Sequence, residues 1–265
     1  MAAPSIPARP RFPARRGAVA RLGAFLLLAG APALAREPII PPSELPGLGP
    51  ADPRRPVDAT AMPWAALGRV QTELGTRCTG TLVGPRTVLT AAHCLVAPRS
   101  GEWVRPTSVH FLLGYRQGAW KGEGRGVSFV TGPGFDPRTR SPASADWALV
   151  TLAAPLPAAP SLSLLPEDSP PGTPLLLGGY QQDRPEVLMA DSACRVLGPA
   201  RYEGRLVLVH DCAGTRGASG APLLARRAEG GWGVAAIAVA VARSQAQGIA
   251  VPAAFLRQAL ERPGG

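Results

Sequence analysis

Only three histidines occur in the 265 residues, His93, His110 and His210, so each can be weighed singly. His93 stands in Thr90-Ala91-Ala92-His93-Cys94, directly after an apolar run and beside a cysteine, where a crosslink from that cysteine would fix the imidazole. His110 lies inside a strand pattern and His210 ends one beside Asp211 and Cys212, and both read as structural. The serine with the most suggestive surroundings is Ser219, in Arg216-Gly217-Ala218-Ser219-Gly220-Ala221-Pro222. Glycines on both sides allow a close approach of backbone that a Cβ would forbid, and the N–H groups of Gly217 and Ser219 can then point at a developing oxyanion. On this fragment alone a plain Gly-Ser loop reads better still. Asp146, in Ala145-Asp146-Trp147-Ala148-Leu149-Val150, heads an apolar strand, where a carboxylate is costly unless it has a partner.

These residues need a framework that brings them together. The 31 glycines and 31 prolines are nearly a quarter of the chain, about twice the usual share, which argues against a helical bundle or coiled coil. Hydrophobic residues at 46% and charged residues at 17% supply a core and exclude a disordered chain. After Trp64 short apolar runs bounded by turn residues read as strands: 78–83, 87–92, 109–114, 126–131, 147–152, 175–179, 206–210, 234–241 and 248–251. Residues 253–261 carry Phe255, Leu256 and Leu260 at a spacing that shares a helix face. The expected class is therefore all-β with a short C-terminal helix. No internal repeat is visible.

Before the strands the chain has a different texture. Arg9, Arg11, Arg15, Arg16 and Arg21 precede any acidic residue, residues 22–34 are small and apolar, and Ala33-Leu34-Ala35 has the form of a secretory cleavage site. Residues 1–35 read as a signal peptide, and residues 36–59 as a proline-rich propeptide or linker. Loss of five arginines lowers the net charge from +10 to +5, and no basic stripe with aromatics suggests nucleic acid. No apolar run reaches about 18 residues, so no membrane anchor is expected. The four cysteines, Cys78, Cys94, Cys194 and Cys212, read as disulfides in an exported protein, with three pairings open and the sequence-local one closing two short loops. A metal site is disfavoured because CxxC pairs and clustered histidines are absent.

Chain order sorts the chemistry. A nucleophile elbow of the G-x-S-x-G type fails because Ala221 stands at its fifth position and no histidine follows Ser219. The order His93, Asp146, Ser219 instead suits a base, its orienting acid and a nucleophile. Cys78-Thr79-Gly80-Thr81-Leu82-Val83 running to Thr90-Ala91-Ala92-His93-Cys94, Asp146-Trp147-Ala148-Leu149, Gly217-Ala218-Ser219-Gly220-Ala221-Pro222 and Gly248-Ile249-Ala250-Val251-Pro252 together carry a resemblance over residues 60–262. The sequence resembles the trypsin-like, chymotrypsin-fold serine peptidases, and within them the secreted bacterial branch that includes glutamyl endopeptidases. The resemblance implies two six-stranded antiparallel β-barrels, at 60–156 and 157–252, followed by a helix and tail at 253–265, with the catalytic residues in the cleft between the barrels. It implies His93, Asp146 and Ser219 as a catalytic triad, Gly217 and Ser219 as the oxyanion hole, and a disulfide in the histidine segment. It also implies a protein or peptide substrate with no cofactor; a monomer is expected, and the signal peptide points to a secreted or periplasmic location.

Three departures from the family pattern stand out. Ala218 replaces the aspartate that in zymogen-type members receives a new N-terminal amine. Ala213, at the base of the primary pocket, lacks the countercharge for Lys or Arg, and residues 236–242 lack a pocket-lining histidine. With Val239 and Val241 on its wall the pocket is expected to be apolar, narrow and suited to small or medium uncharged side chains. Arg216 and Arg243 could attract acidic groups at its rim. The third departure is the pair Cys194 and Cys212, which lies earlier relative to the serine than the family's usual second-barrel bridge and reads as a brace under the serine loop. The rival class is a catalytically inactive homologue acting as an exported binding module, against which stand all three filled triad positions.

Overall fold

The computed structural model describes residue 41 and residues 44–260, the side chains of Gln258 and Ala259 excepted. The signal peptide read at 1–35, the start of the proline-rich stretch and the last five residues lie outside the described residues. Six strands, β2 (Leu67–Thr72), β3 (Arg77–Leu82), β4 (Thr87–Thr90), β5 (Val109–Leu113), β6 (Gly122–Thr131) and β7 (Ala148–Leu152), close into an antiparallel barrel in the order β2-β3-β4-β7-β6-β5. Six more follow: β8 (Pro174–Gln181), β9 (Arg184–Tyr202), β10 (Arg205–His210), β11 (Pro222–Arg226), β12 (Trp232–Val241) and β13 (Gly248–Pro252). They run β9-β10-β13-β12-β11-β8, and β8 pairs back onto β9, so this sheet also forms a ring. A two-residue strand, β1 (Arg55–Pro56), adds to the free edge of β9, and α1 (Ala253–Leu260) follows β13. The all-β class and the short terminal helix are as expected from the sequence.

Three strands of the barrels escape the sequence pattern, each for a physical reason. In β2, Arg69 and Gln71 interrupt the apolar run and Gly68 weakens it. That glycine is there because a Cβ would lie 2.6 Å from the Phe111 ring. In β9, Pro185, Gly198 and Pro199 read as turn residues, yet the strand runs 19 residues because successive parts of it serve different partners. Residues 189 and 190 pair with β8 on one edge and β1 on the other, whereas Val196 to Tyr202 pair with β10. In β11 the strand begins at the proline itself. Few strands alternate cleanly, since those of the first barrel other than β6 are buried along most of their length, with Leu67, Leu82, Leu89, Phe111, Leu149 and Leu152 fully enclosed.

The proline-rich stretch is packed from Leu45 onward. Leu45 and Leu48 are buried against Ala213, Arg54 is 2% exposed, and Val57 N–H donates to Leu188 O at 3.1 Å. Burial of two leucines contributes on the order of 3–5 kcal/mol toward holding the segment in place.

Candidate active site

β4 ends at Thr90, and the chain passes at once into a 3₁₀ turn, Ala92–Leu95, that carries His93. Cys94 in the same turn bridges to Cys78 on β3, with Cα atoms 6.1 Å apart, so the turn is tied to the neighbouring strand. Asp146 follows a second short turn, Ala143–Ala145, immediately before β7. Because β4 and β7 are antiparallel with Thr90 opposite Ala148, the end of one lies beside the start of the other. The result is a double contact: His93 Nδ1 lies 2.6 Å from Asp146 Oδ2, and the His93 backbone N–H donates to Asp146 Oδ1 at 2.9 Å. Both oxygens of a carboxylate that is only 5% exposed are thereby satisfied. In the tautomer with its hydrogen on Nδ1, His93 donates to Asp146 Oδ2 and Nε2 is the ring nitrogen that carries the lone pair.

The serine loop is held against this turn from several sides. Thr79 on β3 donates its N–H to Ser219 O at 3.0 Å and its hydroxyl to Gly217 O at 2.9 Å. Gly220 has φ +77°, and a Cβ there would lie 2.3 Å from Thr90 Oγ1 and 2.6 Å from Ala91 N, so the loop rests directly on the approach to His93. Gly217 has φ +94°, and a Cβ would lie 2.2 Å from Tyr180 O. The amides of Ala218, Gly220 and Ala221 donate to Thr215, Ala238 and Ala218. Those of Gly217 and Ser219 have no acceptor among the described residues, as an anion-binding pair requires. Ser219 Oγ makes no hydrogen bond among the described residues. A contact of this kind is often long before a substrate draws it in, and among His93, Asp146 and Ser219 only the His93–Asp146 link is made.

Of the residues expected to form a primary pocket, Ala213 and Val241 are both approached by the N-terminal segment. Ala213 is fully buried, Val239 nearly so and Val241 half-buried. Gly214 N–H donates to Gly47 O at 3.1 Å, and a Cβ on Gly47 would lie 2.0 Å from Gly214 O and 2.8 Å from Val241 Cβ. Gly47 therefore sits between Gly214 and Val241, with Leu45 and Leu48 on Ala213. Sequence reasoning missed this segment because its prolines and lack of periodicity look like a linker. Asp191 was missed as well: it is 3% exposed and accepts from Ala213 N at 2.9 Å and Ala193 N at 3.0 Å, holding Ala213 in place. The Cys194–Cys212 bridge, Cα atoms 4.7 Å apart, joins the same two stretches.

The other histidines take no part in this site. His110 faces Glu123 at 3.0 Å on the surface. His210 is fully buried, its Nδ1 accepts from Cys212 N at 3.1 Å, and burial pushes its pKa down to about 4. Beyond Gly217 and Arg216 a groove of about 270 Å³ opens, with Arg69, Arg77 and Gln182 on its walls.

Comparison with known proteins agrees with this fold. The Trypsin family matches residues 53–258. The glutamyl endopeptidase of Bacillus licheniformis is 36% identical over 62 residues, which is 23% of this chain and 19% of that protein, so the match spans about a fifth of its length. A solved structure of a Glu endopeptidase in complex with MPD superposes with TM-score 0.66 at 17% identity, over 81% of this chain and all of that one. The protease Anisep from Arthrobacter nicotinovorans superposes with TM-score 0.59 at 18% identity, over 75% of this chain and 93% of that one. At such identities the superpositions speak for the fold alone, while the family match runs from just ahead of β1, through both sets of strands and the serine loop, into the terminal helix: the chain belongs to the Trypsin family.

Proposed function

We propose that this protein is an exported serine endopeptidase acting through His93, Asp146 and Ser219. The observation that carries the reading is the double hydrogen bond from His93 to Asp146, set against a serine loop whose Gly217 and Ser219 amides are uncommitted. In this mechanism Ser219 Oγ attacks a peptide carbonyl while His93 Nε2 takes its proton, and Asp146 stabilises the imidazolium. The carbonyl oxygen, now an anion, is met by the two free amides, each worth about 3–4 kcal/mol of barrier. His93 then protonates the leaving amine, and water releases the acyl group. The groove beyond Gly217 leaves room for the chain on the leaving side, which an endopeptidase needs.

Export is supported by the arginine-rich start, the apolar stretch at 22–34 and two formed disulfides. No helix among the described residues is long and apolar enough to cross a membrane. The apolar Ala213 floor and the valine wall support a preference for small or medium uncharged residues before the cleaved bond, with the Leu45 to Leu48 segment limiting the depth of the slot. Any processing cut falls ahead of Arg54, because a cut beyond it removes a buried cation and strand β1.

The test is to incubate the purified protein, with Ser219→Ala as control, in a diverse peptide mixture and to read the cleaved bonds by mass spectrometry. Cleavage by the parent and none by the folded variant is expected. Hydrolysis retained by Ser219→Ala defeats the mechanism, and faster cleavage after Arg or Glu defeats the specificity.

A further inference from the structure

Ala218 leaves the position before the nucleophile without a carboxylate. Its side chain is buried, and a Cβ on Gly214 or Gly179 would come within 3.5 Å of it, so the place is closed by apolar packing. No amine can be seated there. A buried cation nevertheless reaches the serine loop by another route, from the N-terminal segment.

The Arg54 side chain is fully shielded from solvent. Its Nε and Nη2 lie 2.8 and 2.9 Å from the two oxygens of Asp52, and Nη2 and Nη1 lie 2.8 and 3.1 Å from those of Asp183. Burial disfavours the charge, and the hydrogen bonds to the two carboxylates outweigh it, so the guanidinium is held protonated. Nη1 also donates to Gln181 Oε1 at 2.6 Å. That same oxygen accepts the backbone N–H of Thr215 at 2.8 Å, and the two donors together fix which way the Gln181 amide faces. Gln182 continues the clamp: its N–H donates to Arg216 O at 2.7 Å and its side chain to Thr215 Oγ1 at 2.9 Å. Thr215 and Arg216 are the residues that lead into Gly217.

Stability by itself is a poor reason for such a group, since a buried ion cluster replaced by apolar side chains is often neutral or better. What an apolar side chain cannot do is hold the Gln181 carbonyl in one place. We propose that Arg54 is a positioning residue for the oxyanion loop: through Gln181 it fixes the Thr215 amide and so sets where the Gly217 N–H points. The proposal rests on Ser219 being the nucleophile. It gives the N-terminal segment a part in catalysis that needs no new terminus and no aspartate at 218.

The test compares Arg54→Met, Arg54→Lys and Gln181→Met with the parent protein. Labelling of the parent at Ser219 by a serine-directed phosphonate first establishes the reading on which the proposal rests, so failure there is distinct from failure of the clamp. Gln181→Met keeps both carboxylate pairs and removes the carbonyl that joins Arg54 to Thr215. For the folded variants kcat is expected to fall about 10²-fold with KM within about twofold, because an oxyanion donor is displaced while ground-state contacts remain. Affinity for a peptide trifluoromethyl ketone, whose hemiketal oxygen uses the same amides, should fall in parallel, while affinity for a cleaved product peptide should not. Arg54→Lys, which keeps the charge without the fork, should fall between. Wild-type kcat in a folded Gln181→Met or Arg54→Met overturns the proposal, and so does loss of fold by both, which would make the network structural only.

Discussion

Gly217→Ala separates backbone strain from catalysis within one loop. The residue has φ +94°, where an added Cβ costs about 1–3 kcal/mol of conformational strain. The same Cβ would lie 2.2 Å from Tyr180 O, a backbone atom of a strand that cannot give way, so the Gly217 peptide must rotate or shift. Moving that peptide breaks the Thr79 hydroxyl bond to Gly217 O, 2.9 Å in the parent, and takes the adjacent N–H off target. Loss of one oxyanion donor lowers kcat about 10²- to 10³-fold, about 3–4 kcal/mol of barrier. The control is Gly230→Ala, at φ +95° with nothing within 4 Å of an added Cβ, which carries the same backbone penalty without the collision or the amide. Steady-state hydrolysis and thermal melting are measured for both. The expected result is loss of stability in both variants, larger in Gly217→Ala by the collision and the Thr79 bond, and loss of turnover only in Gly217→Ala. Turnover within about threefold of the parent in folded Gly217→Ala would refute the assignment of its amide, since the predicted loss is at least tenfold larger.

Two further outcomes concern the second barrel. His210 has its pKa pushed down from 6.5 to about 4 by burial. The unfolded chain binds a proton below pH 6.5 that the folded chain refuses, so the contribution is present above pH 6.5 and is lost as pH falls toward 4. At full extent it amounts to about 3 kcal/mol. His210→Gln should flatten the fall of melting temperature over that window, and an unchanged slope counts against the buried neutral imidazole. Replacing Cys194 and Cys212 together by alanine opens an 18-residue loop and should cost about 3 kcal/mol in denaturant unfolding. A cost below about 1 kcal/mol would mean that Asp191 holds Ala213 without help from the bridge.

Much of this molecule can be read from the order of its residues. The all-β class follows from the density of turn residues and short apolar runs, because those are local properties that every strand must satisfy by itself. His93, Asp146 and Ser219 stand out for a similar reason: each lies in a short segment whose neighbours, a cysteine, an apolar strand or paired glycines, are contiguous with it. The strands that went unread are those whose identity depends on a distant partner. Gly68 makes sense only under Phe111, and the turn-like prolines of β9 only once its edges are shared among β1, β8 and β10.

The N-terminal segment shows the same division most sharply. By composition it is a linker, since nothing local in Glu44 to Pro56 organises a backbone rich in proline. Its role is set by contacts more than 100 residues away in the chain: Gly47 between Gly214 and Val241, and Arg54 on Gln181 and Asp183. A close backbone contact of this kind and a buried ion cluster are properties of a surface assembled from separate strands, and no window of sequence contains one. The sequence alone determined which groups could do chemistry and in what order they come. Tertiary packing decided which backbone amides were left free, what packs against Ala213 and Val241, and which buried charge is bonded to Gln181.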